Sequence, residues 1–158
     1  MTKKNEPYKD LALIYDEIRP SYPEDLIQDI IKATNLKPGD RILEIGAGTG
    51  KATIQFAEKG FNVHAIEPGK DMSNVFKTKL AKYPHISLDI TSFEEWIPKK
   101  TDKYDLIYCA QAFHWLDTSM KYKKCHELLK DNGYLILFWY TSGNHENEAT
   151  KSIKKSLS

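Results

Sequence analysis

Cysteine is scarce in this chain: two residues, Cys109 and Cys125, among 158. Two thiols cannot build the disulfide framework of a small secreted domain. Cys109 falls in an apolar strand-like run and Cys125 in a helical one. Each reads as a buried, inert thiol, and a reducing, cytoplasmic location is expected. His114 and His126 have no Cys or second His at ligand spacing, so no metal is expected. Long apolar runs are also absent, and nothing approaches the roughly 20 residues of a membrane helix. No basic segment followed by an apolar core suggests a signal peptide. Nor is there an excess of one charge: 23 basic against 22 acidic residues leave a net +1. No strong field then draws the chain to nucleic acid or an anionic membrane, and neither is expected as a partner. What remains is 41% apolar and 28% charged, enough for a single soluble domain with one core.

Glycine is sparse as well, eight in all, yet three stand together in Ile42-Leu-Glu-Ile-Gly-Ala-Gly-Thr-Gly50. An apolar strand runs into Gly46, Gly48 and Gly50, with the acid Glu44 just before them and a helix-forming run from Lys51 behind. Such a turn can bring bare backbone N–H groups and a helix N-terminus up to a nucleotide-like ligand. A dinucleotide fingerprint would need glycine where Lys51 stands, and a phosphate-cradling loop would need its second glycine there too. Both fail. Phe61 to Ile66 alternates like a strand, and Glu67 ends it about 20 residues past the loop, the interval at which an acid accepts from ribose hydroxyls in doubly wound folds. A surface turn and a solvated strand-end acid are the plainer alternatives for the glycines and for Glu67.

Periodicity predicts helices over residues 9–18 and 24–34, a strand over 41–45, a helix over 51–59 and a strand over 61–66. A helix over 70–82, strands at 86–90 and 104–110, a helix over 118–130 and a strand over 134–140 follow. Alternating strands and helices imply an α/β, doubly wound Rossmann-like parallel sheet. Right-handed crossovers give strand order 3-2-1-4-5, with the switch point between the first and fourth strands. The glycine loop and the segment from Ala110 to His114 then face one crevice.

The E-x-G-x-G-x-G pattern resembles the first motif of class I S-adenosylmethionine-dependent methyltransferases. Three further segments resemble the type 11 small-molecule subgroup: Tyr15-Asp-Glu-Ile-Arg-Pro-Ser-Tyr-Pro23, Ser92-Phe-Glu-Glu-Trp96, and Tyr104 to Asp117. The resemblance covers about residues 8 to 140. It implies S-adenosylmethionine as cofactor, with S-adenosylhomocysteine as product, and a small-molecule methyl acceptor. Gly46, Ala47, Gly48 and Gly50 would form the cofactor loop. Glu44 would help hold the ammonium, Glu67 the ribose, and Pro68 and Met72 the adenine. Many relatives have Asp where Ser92 stands, so recognition of the base would shift toward the Phe93 backbone. Ala110 and Gln111 would line the methionine end, with a solvated loop residue as the alternative for Gln111. His114 is a candidate base or orienting donor, or a group that satisfies a backbone carbonyl. Tyr15, Arg19 and Tyr22 are candidates for contacting the acceptor, or parts of a packing cap. No dyad is needed, because displacement at a sulfonium carbon rests on alignment and exclusion of water.

The expected organisation is a cofactor-binding domain over residues 1–140, with a helical cap over 1–36, and a polar tail over 141–158. The family sheet has seven strands; the last two are expected to be missing here, with one helix from about Glu146 at most. The apolar strand 135–139 would then be an open edge. Three readings compete: a fragment of a longer protein, a homodimer paired through that edge, or a noncatalytic cofactor-binding or interaction module.

Overall fold

The computed structural model describes residues 6–110, 116, 119–140 and 149–155. Helix α1 (Glu6–Ile18) and helix α2 (Glu24–Thr34) precede the sheet. The sheet and its other helices are β1 (Arg41–Ile45), α3 (Lys51–Ala57), β2 (Asn62–Ile66), α4 (Lys70–Lys77), β3 (Ile86–Asp89), β4 (Tyr104–Ala110), α5 (Lys121–Leu128), β5 (Leu129–Tyr140) and β6 (Ala149–Lys155). A short 3₁₀ turn, Leu80–Lys82, follows α4.

Five parallel strands stand in the order β3-β2-β1-β4-β5, as the crossover rules require. Central β1 is buried on both faces from Ile42 to Ile45, the pattern of a strand with helices above and below. Ile42 faces a core shared with Ile27 and Ile30 of α2 and Phe56 of α3. Leu43 and Ile45 face a second core with Cys125 and Leu128 of α5. Helix α2 buries Leu26, Ile27, Ile30 and Thr34, one stripe at helical spacing. It ends at Asn35, whose left-handed φ of 53° lets the Leu36 N–H return to the Ile31 carbonyl.

Two expectations need correction at the C-terminal end. The helix before β5 is shorter than 118–130, and β5 begins at Leu129. The pairing with β4 slips between Tyr104 and Leu106, so the Asn132-Gly133 pair, expected as a helix stop, lies inside a bulged strand. Strand β5 is also not an open edge. β6 runs antiparallel to it from Tyr134↔Lys155 to Tyr140↔Ala149, where a polar tail or helix was expected. A row of unpaired backbone groups on an apolar strand favours any segment able to pair, even one of weak strand propensity. The edge invoked for a homodimer is therefore occupied by the chain itself. Among the described residues, no helix is long and apolar enough to cross a membrane.

Candidate functional site

The glycine loop leaves the carboxyl end of β1, at the switch point between β1 and β4. Gly46, Gly48 and Gly50 have φ of 73°, 60° and 87°, a region in which side-chain-bearing residues are strained. Gly50 also lies against Phe76: a Cβ there would stand 2.6 Å from the ring. Gly48 has no heavy atom within 4 Å of such a Cβ, so open space lies above it.

The loop's N–H groups are not bare, which corrects the sequence-based expectation. Gly46 and Ala47 both donate to the Ile66 carbonyl at the end of β2, at 2.8 and 3.1 Å. Gly48 donates to Glu67 Oε1 at 2.8 Å, and Gly69 donates to Oε2 at 2.7 Å. Glu67 is thus a brace between the loop and the start of α4. A carboxylate offers about four acceptor positions, so two remain for hydroxyl donors. With the N–H groups of Gly46, Ala47 and Gly48 committed, the loop is a poor cradle for a phosphate.

Glu44 is 1% exposed, placed by the alternation of β1 in an otherwise apolar face. Burial pushes its pKa up to about 7, against the Thr53 hydroxyl that donates to it; the nearby charge of Glu67 adds to the rise. Tyr108 is its partner across β1 and β4. The Tyr108 hydroxyl is the one buried side-chain polar atom among the described residues left without a hydrogen-bond partner. Burial, then the neighbouring carboxylate, holds its pKa well above the usual value.

A pocket of about 80 Å³ joins these pieces, lined by Tyr15, Arg19, Tyr22, Glu44, Gly46, Ala47, Gly48, Thr49, Lys51 and Ala110. It falls below the roughly 300–1,000 Å³ of a complete ligand site. Arg19 lies over the Tyr15 ring, 5.0 Å from its centroid. The Tyr22 backbone is clamped from both sides by the Gln55 amide, at 3.1 and 2.8 Å, and its ring meets Phe138 edge-on. Pocket space bounded by a buried acid, a guanidinium and an open glycine matches the chemistry of a zwitterionic amino-acid group.

Other predicted residues sit around this pocket or apart from it. Pro68 is exposed and Met72 half-buried, both just beyond Glu67. Ser92 Oγ accepts from the Glu95 N–H and so caps a turn. The Phe93 ring is buried in the second core, and its carbonyl accepts from Lys124. Gln111 and His114 lie outside the described residues.

The sequence did not single out the fastening of α1. Asp16 accepts from Thr49 Oγ1 at 2.5 Å and from Lys79 at 2.8 Å, while Lys79 also donates to the Thr49 carbonyl at 2.9 Å. Burial alone would raise the Asp16 pKa, but these donors outweigh it and hold the carboxyl below its usual range. Asp16 stands beside the singled-out Tyr15, whereas nothing marked Lys79.

Residues 42–133 match the family model described as a methyltransferase domain. An uncharacterized methyltransferase of Mycobacterium bovis is 32% identical over 127 residues, 80% of this chain and 49% of that protein. Another from Schizosaccharomyces pombe is 30% identical over 131 residues, 82% of this chain and 51% of that protein. The chain therefore spans about half the length of these curated relatives. Among solved structures, an S-adenosylmethionine-dependent methyltransferase from Clostridium acetobutylicum shares the fold at TM-score 0.66 and 23% identity, over 85% of this chain and 58% of that one. Coclaurine N-methyltransferase bound to N-methylheliamine and S-adenosylhomocysteine does so at 0.61 and 17%, over 73% and 35%. The chain, with its E-x-G-x-G-x-G loop at the switch point of a 3-2-1-4-5 sheet, belongs to the class I S-adenosylmethionine-dependent methyltransferase family.

Proposed function

We propose that this chain binds S-adenosylmethionine in the crevice between β1 and β4 and directs its methyl group to a small-molecule acceptor. The observation that carries the reading is the pocket that sets the buried Glu44 carboxyl and the Arg19 guanidinium around an open glycine turn. When bound, the cofactor supplies a methyl group on a positively charged sulfur, which leaves as a neutral thioether without needing a proton.

The residues then divide by chemistry. Glu44 holds the ammonium, and Arg19 takes the carboxylate, which moves Arg19 from the acceptor to the cofactor. Glu67 keeps its two backbone donors and accepts from the ribose with its remaining lone pairs. Pro68 and Met72 lie along the adenine, with Ser92 and the Phe93 backbone at its edge. Gly46, Ala47, Gly48 and Gly50 leave the room, and Ala110 and Gln111 border the methionine end. Tyr15, Tyr22 and His114 are assigned to the acceptor side, where orientation and water exclusion do the catalytic work. Coclaurine N-methyltransferase, solved with N-methylheliamine, supports a small acceptor by analogy of fold. Two buried free thiols, with Cys125 pushed up to about 12 by burial, suit a reducing cytoplasm.

A second reading, cofactor binding without turnover, rests on the same pocket residues and needs no acceptor. Calorimetric titration tests the shared part: S-adenosylhomocysteine is expected to bind and NAD not to. The reverse result would overturn both readings. Transfer of label from methyl-labelled cofactor to compounds of a small-molecule extract then decides between them.

A further inference from the structure

On the flank of the sheet, between the segment leading into β4 and helix α5, lies a groove of about 530 Å³. It shares no residue with the glycine-loop pocket. Five lysines border it: Lys99, Lys100, Lys103, Lys123 and Lys124. The acids beside them are fewer. Asp102 is already paired with Arg41 at 3.2 Å and accepts from the Lys99 N–H, which leaves Glu127 in the lining and Glu94 near Lys124. In a chain of net charge +1, this is a marked local excess of positive charge.

Two of the lysines are fixed in place. Lys124 donates to the carbonyls of Phe93 and Trp96 and lies over both rings. Lys103 donates to the Glu127 carbonyl. Among the described residues, the ammonium groups of Lys99, Lys100 and Lys123 form no ion pair. Between the lysines the lining is aliphatic: Ile97, Pro98, Met120 and Leu128. Ile97 is 87% exposed, the most exposed of the described large apolar side chains. Held cations around an aliphatic floor, with an apolar side chain projecting beside them, are the complement of a peptide that carries carboxylates flanking a leucine or isoleucine.

Nucleic acid fits less well. The groove has no arginine, and its one aromatic residue, Trp96, is 7% exposed and spends its indole N–H on Asp89, so no face is offered for base stacking. A bilayer fits less well than a peptide because the lysines surround a concavity rather than a convex tip.

We propose that this groove is a docking site for an acidic, apolar-anchored segment of a partner protein. The groove and the glycine-loop pocket share no residue, so the docked segment leaves that pocket open.

The test uses the full chain and a fluorescent peptide of alternating glutamate and leucine, followed by anisotropy. Saturable binding is expected that weakens about tenfold or more in the K99E/K100E/K123E variant and again in I97D. S-adenosylhomocysteine affinity, measured alongside, is expected to be unchanged in both variants, which shows that they remain folded. Equal binding of polyglutamate lacking leucine would overturn the proposal, since only charge would then be read. Preferential binding of single-stranded RNA or of phosphatidylserine vesicles would also overturn it, as would undiminished peptide binding by the lysine variant.

Discussion

At the scale of single residues, Glu44 joins two demands that conflict. An acid in an apolar core destabilises the fold whenever it is ionised, while a buried carboxylate is what an ammonium requires. Its folded pKa of about 7 lies above the ordinary 4.5, so its favourable contribution is complete below pH 4.5 and is lost as pH rises to 7. That interval corresponds to about 3 kcal/mol. Denaturant unfolding of the free protein at pH 5 and pH 8 is expected to show part of this loss, and Glu44→Gln to abolish it. The same variant is expected to bind S-adenosylhomocysteine more weakly at pH 8, since a neutral amide leaves the ammonium without its counter-charge. Equal pH dependence in both proteins would mean that Glu44 does not titrate in this range.

The glycines separate in the same way. Gly50→Ala would place a Cβ 2.6 Å from the buried Phe76 ring at a φ of 87°, and a stability loss of about 3 kcal/mol is expected. Gly48→Ala meets nothing within 4 Å and carries only the backbone strain of its φ of 60°, about 1 kcal/mol. Its methyl group points into space that the cofactor is proposed to fill. Urea melts paired with calorimetry are therefore expected to show Gly50→Ala as a folding defect and Gly48→Ala as a binding defect. The sequence displayed three equivalent glycines. Their different reasons depend on Phe76, whose approach from α4 no local pattern records.

At the scale of elements, α1 is held to the glycine loop chiefly by polar contacts. Leu11, Ile14 and Ile18 are exposed along it, whereas Asp16 is fixed to Thr49 and Lys79. Asp16→Asn removes the charge but keeps the shape. Partly exposed ion pairs contribute about 1 kcal/mol or less, so the melting curve should move little. What should change is access to the pocket that Tyr15 and Arg19 help to line: dissociation of S-adenosylhomocysteine, measured by stopped-flow, is expected to accelerate about tenfold. An unchanged rate would show that α1 does not gate the crevice.

This element also shows what one sequence can disclose. A helical period and the Pro20 and Pro23 breaks were enough to place α1 and α2, because those signals are local. The Asp16–Lys79 contact spans 63 positions and leaves no periodic trace. Glu67 was legible as a strand-end acid at a telling interval. Its use as a brace for the Gly48 N–H became visible only when β2 was laid beside the loop.

At the scale of the whole molecule, the strand order followed from crossover handedness, whereas the sheet's last edge did not. Leu135 to Phe138 are buried apolar residues of β5, and their row of backbone groups on the side away from β4 is completed by β6. Sequence Ala149–Lys155 has three lysines and little strand propensity, so no local rule marks it; the demand comes from β5. If β6 protects this edge, a chain ending at Asn147 should fold around the same β1–β5 sheet yet associate through β5. Sedimentation velocity is expected to show the shortened chain forming dimers or larger species at concentrations where the full chain stays monomeric. Lys130→Glu in the shortened chain is expected to change this little, because that residue lies in the bulge, outside the paired run from Tyr134 to Tyr140. A shortened chain that remained monomeric would mean that β5 is guarded by its own twist and that β6 is dispensable to solubility.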